Sequence, residues 1–238
     1  MSFRQIFCSG FYGCLLGALP GIALRAQVPA QSSSQSSSSS LSKPAAKAAP
    51  VAASPLSSGT ISDGVYRNRA FGFACKIPAG WVLRTEEMNA REDGGSNADS
   101  GRKAGSGKAE RVLLAAFSRP PEARAEDVNS SIVIAAESAA AYPELKEAAQ
   151  YFELVGKAAE AQGFELDDDP YEFAIGTKKL VRGDFQKDVG SRVMRQSTLV
   201  ILARGYVVSF TFIGGTEDEV EELIAGLSFA GAAKPQAH

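Results

Sequence analysis

The stretch from Arg192 to Phe229 leaves the chain little freedom of fold. Arg192-Val-Met-Arg-Gln-Ser-Thr-Leu-Val-Ile-Leu202 and Tyr206-Val-Val-Ser-Phe-Thr-Phe-Ile213 are rich in β-branched and aromatic residues, and Ala203-Arg-Gly205 joins them. Such a pattern predicts two antiparallel strands and a tight turn. In Gly214-Gly-Thr-Glu-Asp-Glu219, Thr216 is placed to cap a helix and Glu219 to complete a capping box. Val220, Leu223, Ile224 and Leu227 then recur at three- and four-residue steps, the buried stripe of an amphipathic helix. Leu227-Ser-Phe229 follows as a short closing strand.

The opening of the folded part has the same character. In Tyr66-Arg-Asn-Arg-Ala-Phe-Gly-Phe-Ala-Cys-Lys-Ile-Pro-Ala-Gly-Trp81, a strand carrying Phe71 and Phe73 ends at Ile77-Pro78-Ala79-Gly80. Trp81 and Leu83 alternate into the next strand, with Trp81 read as a core plug over the turn. Arg111–Ser118 and Ser131–Ala136 read as buried strands, and Phe173–Arg182 as one further strand. Pro143 suits the first position of a helix. Leu145, Ala148, Ala149, Phe152, Val155 and Ala159 form its apolar face, and Gly163 ends it. Residues 89–110 hold no Val, Ile, Leu or aromatic residue and read as a mobile surface insert. Strands, helix, strands and helix in that order predict an α+β fold, a mostly antiparallel β-sheet covered by helices, in one domain over 62–231.

Taken together, the aromatic-Gly-aromatic run before Pro78-Ala-Gly-Trp81 and the Gly205-Tyr-Val-Val-Ser-Phe-Thr-Phe212 strand before an acidic-capped helix resemble the PsbP-like sandwich of bacterial envelope proteins. The resemblance spans about 66–229 at the level of pattern. It implies a scaffold used for binding. Its motifs are turn and core residues, so they carry over no ligand or partner residue.

The N-terminal end reads as an address. Arg4 precedes an uncharged apolar run from Ile6 to Leu19, Pro20-Gly21 breaks it, and Ala23-Leu-Arg-Ala26 offers a cleavage site. A retained anchor over Ile6–Leu24, or lipidation at Cys14, are the alternatives. Residues 27–61 are Ser-, Ala- and Pro-rich, with eight serines between Ser32 and Ser40, and are expected to be a disordered linker. Residues 232–238 are expected to be a disordered tail. Loss of residues 1–26 removes Arg4 and Arg25, lowering the basic count from 25 to 23 against 27 acids. The resulting net charge of −4 argues against nucleic acid as a partner. Cys75 is then the one remaining cysteine, which excludes an intramolecular disulfide, and its strand setting predicts a buried, inert thiol.

Absences narrow the chemistry. The single histidine is His238, in the expected tail, so Ser-His and Cys-His nucleophile pairs lack their base and His-based zinc sites lack their ligand. Carboxylate-only hydrolysis would require two buried acids facing one cleft. Asp167-Asp168-Asp169, with Glu165 and Glu172, is the densest acidic cluster, a solvated loop or a site for a hard cation. Arg182-Gly183-Asp184 matches an adhesion tripeptide that arises often by chance. Asn129-Ser-Ser131 has glycosylation spacing. Lys178, Lys179, Arg182, Arg192 and Arg195 make one region basic and are the expected partner surface, if neighbouring strands align them.

The expectation is a non-enzymatic binding module, exported to the periplasm, the cell envelope or the medium, that needs no cofactor and docks an envelope protein. Membrane contact is expected only through an uncleaved or lipidated N-terminal segment. The alternative is a protein that binds a metal or small ligand through the acidic 165–172 loop.

Overall fold

Arg204 and Gly205 both adopt positive φ, 54° and 80°, and close the two-residue turn that the sequence predicts. They join β10 (Arg192–Ala203) to β11 (Tyr206–Gly214) in an unbroken register from Ala203↔Tyr206 to Arg195↔Gly214. This hairpin is the centre of the fold. The computed structural model describes Leu56 and residues 59–95, 110–120 and 128–230. The expected export signal at 1–26, the expected tail at 232–238, most of the expected linker and residues 96–109 of the insert lie outside the described residues.

The remaining strands are β1 (Thr60–Ser62), β2 (Val65–Asn68), β3 (Phe73–Lys76), β4 (Val82–Leu83), β5 (Glu110–Phe117), β6 (Ser131–Ser138), β7 (Glu165–Leu166), β8 (Tyr171–Ile175), β9 (Lys178–Val189) and β12 (Leu227–Phe229). Three α-helices accompany them among the described residues: α1 (Thr85–Gly95), α2 (Phe152–Glu160) and α3 (Glu217–Ala225). The strands form two antiparallel sheets. The small one runs β1-β2-β3-β12, and the large one runs β4-β5-β6-β11-β10-β9-β7, with β8 also paired to β9. The result is a sheet-dominated α+β domain.

Alternation along β10 and β11 sorts the core into two layers. Leu199, Ile201, Val208, Phe210 and Phe212 face the small sheet and α3, where they meet Phe73, Cys75, Phe229, Val220 and Leu223. The Phe73 and Phe210 rings cross edge-to-face at 4.9 Å. On the opposite face Val200, Val207 and Ile213 pack with Phe152, Val155 and Ala159 of α2. Beneath α1, Met88 packs on Val112, Phe117 and Val133. One face of the large sheet is therefore covered largely by another sheet, where the sequence suggested helices.

Four further expectations change. The domain begins before residue 62, because Thr60–Ser62 is a strand and Leu56 packs on the inner core. The stretch 89–95, read as surface loop, belongs to α1. Asn89 is buried there, donating its amide to the Val112 carbonyl at 3.0 Å and accepting from the Val112 N–H at 3.1 Å. The helix expected from Pro143 starts later: the Gln150 side-chain carbonyl takes the N–H groups of Lys146 and Glu147, a 3-10 turn covers Ala148–Tyr151, and α2 follows. The single strand over Phe173–Arg182 is instead the hairpin β8–β9, bent at Gly176 with φ of 62°.

Candidate functional site

β9 pairs with β10 along most of its length, and the register decides which basic side chains can share a surface. Arg192 faces Val189 and Arg195 faces Gln186, whereas Lys178 and Lys179 sit at the other end of β9 opposite Ile175 and Ala174. Seven residues separate Gln186 from Lys179 along β9, roughly 24 Å at strand rise. The five residues therefore do not form one basic face. Lys179 meets Glu172 at 3.0 Å with both groups exposed, a pair that contributes little.

Arg182 is not a surface residue at all. It is 6% exposed, in the interior of β9 on the inner face of the large sheet. Its guanidinium holds Asp184 at 2.9 Å, the Ser197 hydroxyl at 3.1 Å, and Glu221 of α3. It also lies over the Phe173 ring at 5.2 Å and the Tyr171 ring at 5.9 Å. Tyr171 adds a hydroxyl bond to Asp184 at 3.0 Å. Arg182 is thus the buried centre of a half-exposed ion-pair network that ties α3 to the sheet, and Arg182-Gly183-Asp184 lies within β9, without the exposed loop that adhesion requires.

Arg192 and Arg195 do come together with something. They line an open groove of about 610 Å³ between the start of β10 and the N-terminus of α3, with Val193, Ser130, Glu217 and Glu219 among the other walls. Its geometry follows from the α3 cap. The Glu219 N–H donates to the Thr216 hydroxyl at 3.2 Å, while the Glu219 carboxylate accepts from the Gly215 N–H at 2.8 Å and the Ser130 hydroxyl at 2.5 Å. The capping box is displaced by one residue, from Thr216 to Gly215, and it anchors the segment before β6 as well as the helix. Arg195 is 36% exposed with Asp167 at 3.9 Å, and burial raises the Asp167 carboxyl above its ordinary value against the opposing pull of Arg195.

The acidic loop is otherwise solvent-facing, and Asp167, Asp168 and Asp169 are all exposed. Among the described residues no three of Asp, Glu, Cys and His converge on one point where a metal ion could sit. Asn129 accepts from the Ser118 hydroxyl and the Arg119 N–H, so its amide serves to close the β5–β6 connection.

Sequence reasoning missed one cluster. Glu110 and Glu137 face one another across β5 and β6, both buried at 8% and 4% exposure. The Glu137 carboxylate accepts from the hydroxyls of Tyr142 and Tyr151, each at 2.6 Å. Burial first, and then the neighbouring carboxylate, hold the Tyr151 hydroxyl well above its ordinary value. The strand was expected to end at Ala136; carrying its alternation on by one residue would have exposed an acid in a buried register. Neither Glu110 nor Glu137 lines the groove beside α3.

No protein-family model matches this chain, and no curated protein does. Solved structures give weak likenesses. LpqN of Mycobacterium tuberculosis, involved in cell envelope biogenesis, aligns over 66% of this chain and 83% of its own, at 14% identity and a TM-score of 0.33. Cyanobacterial PsbP (CyanoP) of Synechocystis aligns over 74% and 99%, at 17% identity and a TM-score of 0.40. The Saccharomyces cerevisiae Ran-binding protein Mog1p aligns over 72% and 97%, at 10% identity and a TM-score of 0.40. Likenesses at this level assign neither a family nor an activity.

Proposed function

We propose that this chain is an exported, non-enzymatic interaction module of the PsbP-like sandwich type, and that it receives an acidic segment of an envelope protein in the groove between β10 and α3. The observation that carries the docking site is the placement of Arg192 and Arg195 on the walls of that groove, where Glu219 is already bonded to Gly215 and Ser130, and Glu217 is the one other acid among the described residues that line it. Arg195 is held only loosely by Asp167, at 3.9 Å, so it can exchange that neighbour for a partner carboxylate at little cost. The buried polar groups support the non-enzymatic reading: Arg182, Asp184, Ser197 and Glu221 bind one another, and Glu137 is held by two tyrosines. They stabilise elements of the fold. Export rests on the charge and apolar pattern of residues 1–26. Among the described residues no helix is long and apolar enough to cross a membrane.

The test is a photocrosslinking side chain at Val193 in the tagged full-length protein, expressed in its own host. One dominant adduct with an envelope protein is expected, and the double variant Arg192→Glu/Arg195→Glu should abolish it. An adduct that survives the charge reversal, or no adduct from folded protein, would overturn the reading.

A further inference from the structure

The sandwich is closed at one end and open at the other. At the closed end Tyr171 and Phe173 of β8 lie against Arg182, which is bonded to α3. The open end is where the terminal strand of each sheet comes to the surface: β1 for the small sheet and β4 for the large one. Ile61 pairs with the buried Tyr66, and Leu83 with the buried Ala116, so both side chains belong to the inward faces of their sheets. They are nevertheless 44% and 48% exposed. Between them runs a groove of about 490 Å³, floored by Tyr66 and Leu113 and bordered by Glu86 and Glu87 at the start of α1.

The edge of β1 adds backbone to this mouth. The two-residue turn Asp63-Gly64 makes Ser62↔Val65 the hydrogen-bonded pair next to it, so Ile61↔Tyr66 is the non-bonded pair. The Ile61 N–H and C=O therefore point outward, away from β2. At the acidic border Glu87 is bonded twice to Arg84, at 2.8 and 2.7 Å, and the exposed Glu86 supplies the net negative charge.

We propose that this mouth is a second docking site, separate from the groove beside α3, and that its occupant is an extended peptide segment of a partner protein carrying an apolar residue and, two positions away on the same face, a basic one. The segment would meet the outward groups of Ile61 as an added strand. Its apolar side chain would lie between Ile61 and Leu83 over Tyr66, burying surface that the fold leaves wet. Its Lys or Arg would meet Glu86.

The chain carries its own reporter, since its one tryptophan, Trp81, lies two residues before Leu83 and packs on the inner core. The probe is the capped peptide Gly-Thr-Val-Thr-Lys-Thr-Gly, with Val and Lys on one face, titrated into the full chain and followed by Trp81 emission and by calorimetry. Its counterpart with glutamate for lysine is titrated alongside. Saturable binding of the lysine peptide is expected, weakened at least tenfold in Leu83→Ser and Ile61→Ser and at least threefold in Glu86→Lys. It should be unchanged in Leu166→Ser, which removes an exposed apolar group on β7. Glu86 is exposed, so its variant keeps the test valid if the apolar variants fold poorly. Equal binding of the glutamate peptide, equal affinity in Glu86→Lys, or no heat and no emission change would overturn the proposal. Self-association in sedimentation that Ile61→Ser abolishes would assign the mouth to a second copy of the chain and equally overturn it.

Discussion

The Tyr151 hydroxyl donates a 2.6 Å hydrogen bond to the Glu137 carboxylate, fastening the turn before α2 to the end of β6. Tyr151 is 1% exposed and Glu137 is 4% exposed, so water cannot replace the bond without rearrangement. Tyr151→Phe should cost about 1–3 kcal/mol of stability, because it leaves a buried acceptor short of a donor. Tyr142→Phe should cost less, since Tyr142 is only half-buried. Urea unfolding of the two variants checks the order.

Two glycines should respond to alanine with opposite signs. A Cβ at Gly183 would stand 2.5 Å from the Phe152 ring, which closes on β9 at that point. Gly183→Ala should destabilise by about 1–3 kcal/mol. At Gly156, inside α2, a Cβ would meet nothing within 4 Å, so Gly156→Ala should stabilise by about 0.5–1 kcal/mol. Thermal melts of both variants, run side by side, decide the matter.

Arg182→Met should cost about 1–3 kcal/mol, since Asp184 and Glu221 would lose their common cation while keeping access to water. Glu221→Gln in the Arg182→Met background should cost clearly less than in the native chain. A double-mutant cycle by chemical denaturation measures that coupling.

Burial pushes the Cys75 thiol up from 9.0 to about 12. Between these values the unfolded chain has lost a proton that the folded chain retains, so the stability this cysteine confers falls as pH rises. It is fully present below pH 9 and gone by pH 12. The stability of the native chain relative to Cys75→Ala should therefore shrink by about 1 kcal/mol between pH 8 and pH 10. At pH 8 an aromatic disulfide reagent should label Cys75 only in denaturant.

The parts of this fold legible in sequence are those whose cause is local. The Arg204–Gly205 turn, the alternation of β10 and β11 and the Thr216 cap each depend on neighbours a few residues away. Pro143 misled because Gln150, seven positions on, captures the N–H groups a helix there would need free. α1 was hidden for another reason: between Thr85 and Gly95 only Met88 is apolar apart from Ala90, and no stripe marks the helix. Asn89, the residue that pins it, bonds to a backbone 23 positions away. The basic cluster shows the same limit. Composition could place Arg182 among five cations but not on the inward side of a strand, and only register separates Arg195 from Lys179.

The small sheet joins residues far apart in the chain: β12 lies beside β3, with Ser228 reaching the Ala74 carbonyl 154 positions back. Synthesis delivers β3 long before β12. Until Phe229 emerges, Phe73 and Phe210 lack the third ring of their cluster and β3 lacks a neighbour on one side. A nascent chain built this way cannot close its inner core until β12 has been made, so the early strands wait for a partner 154 positions on.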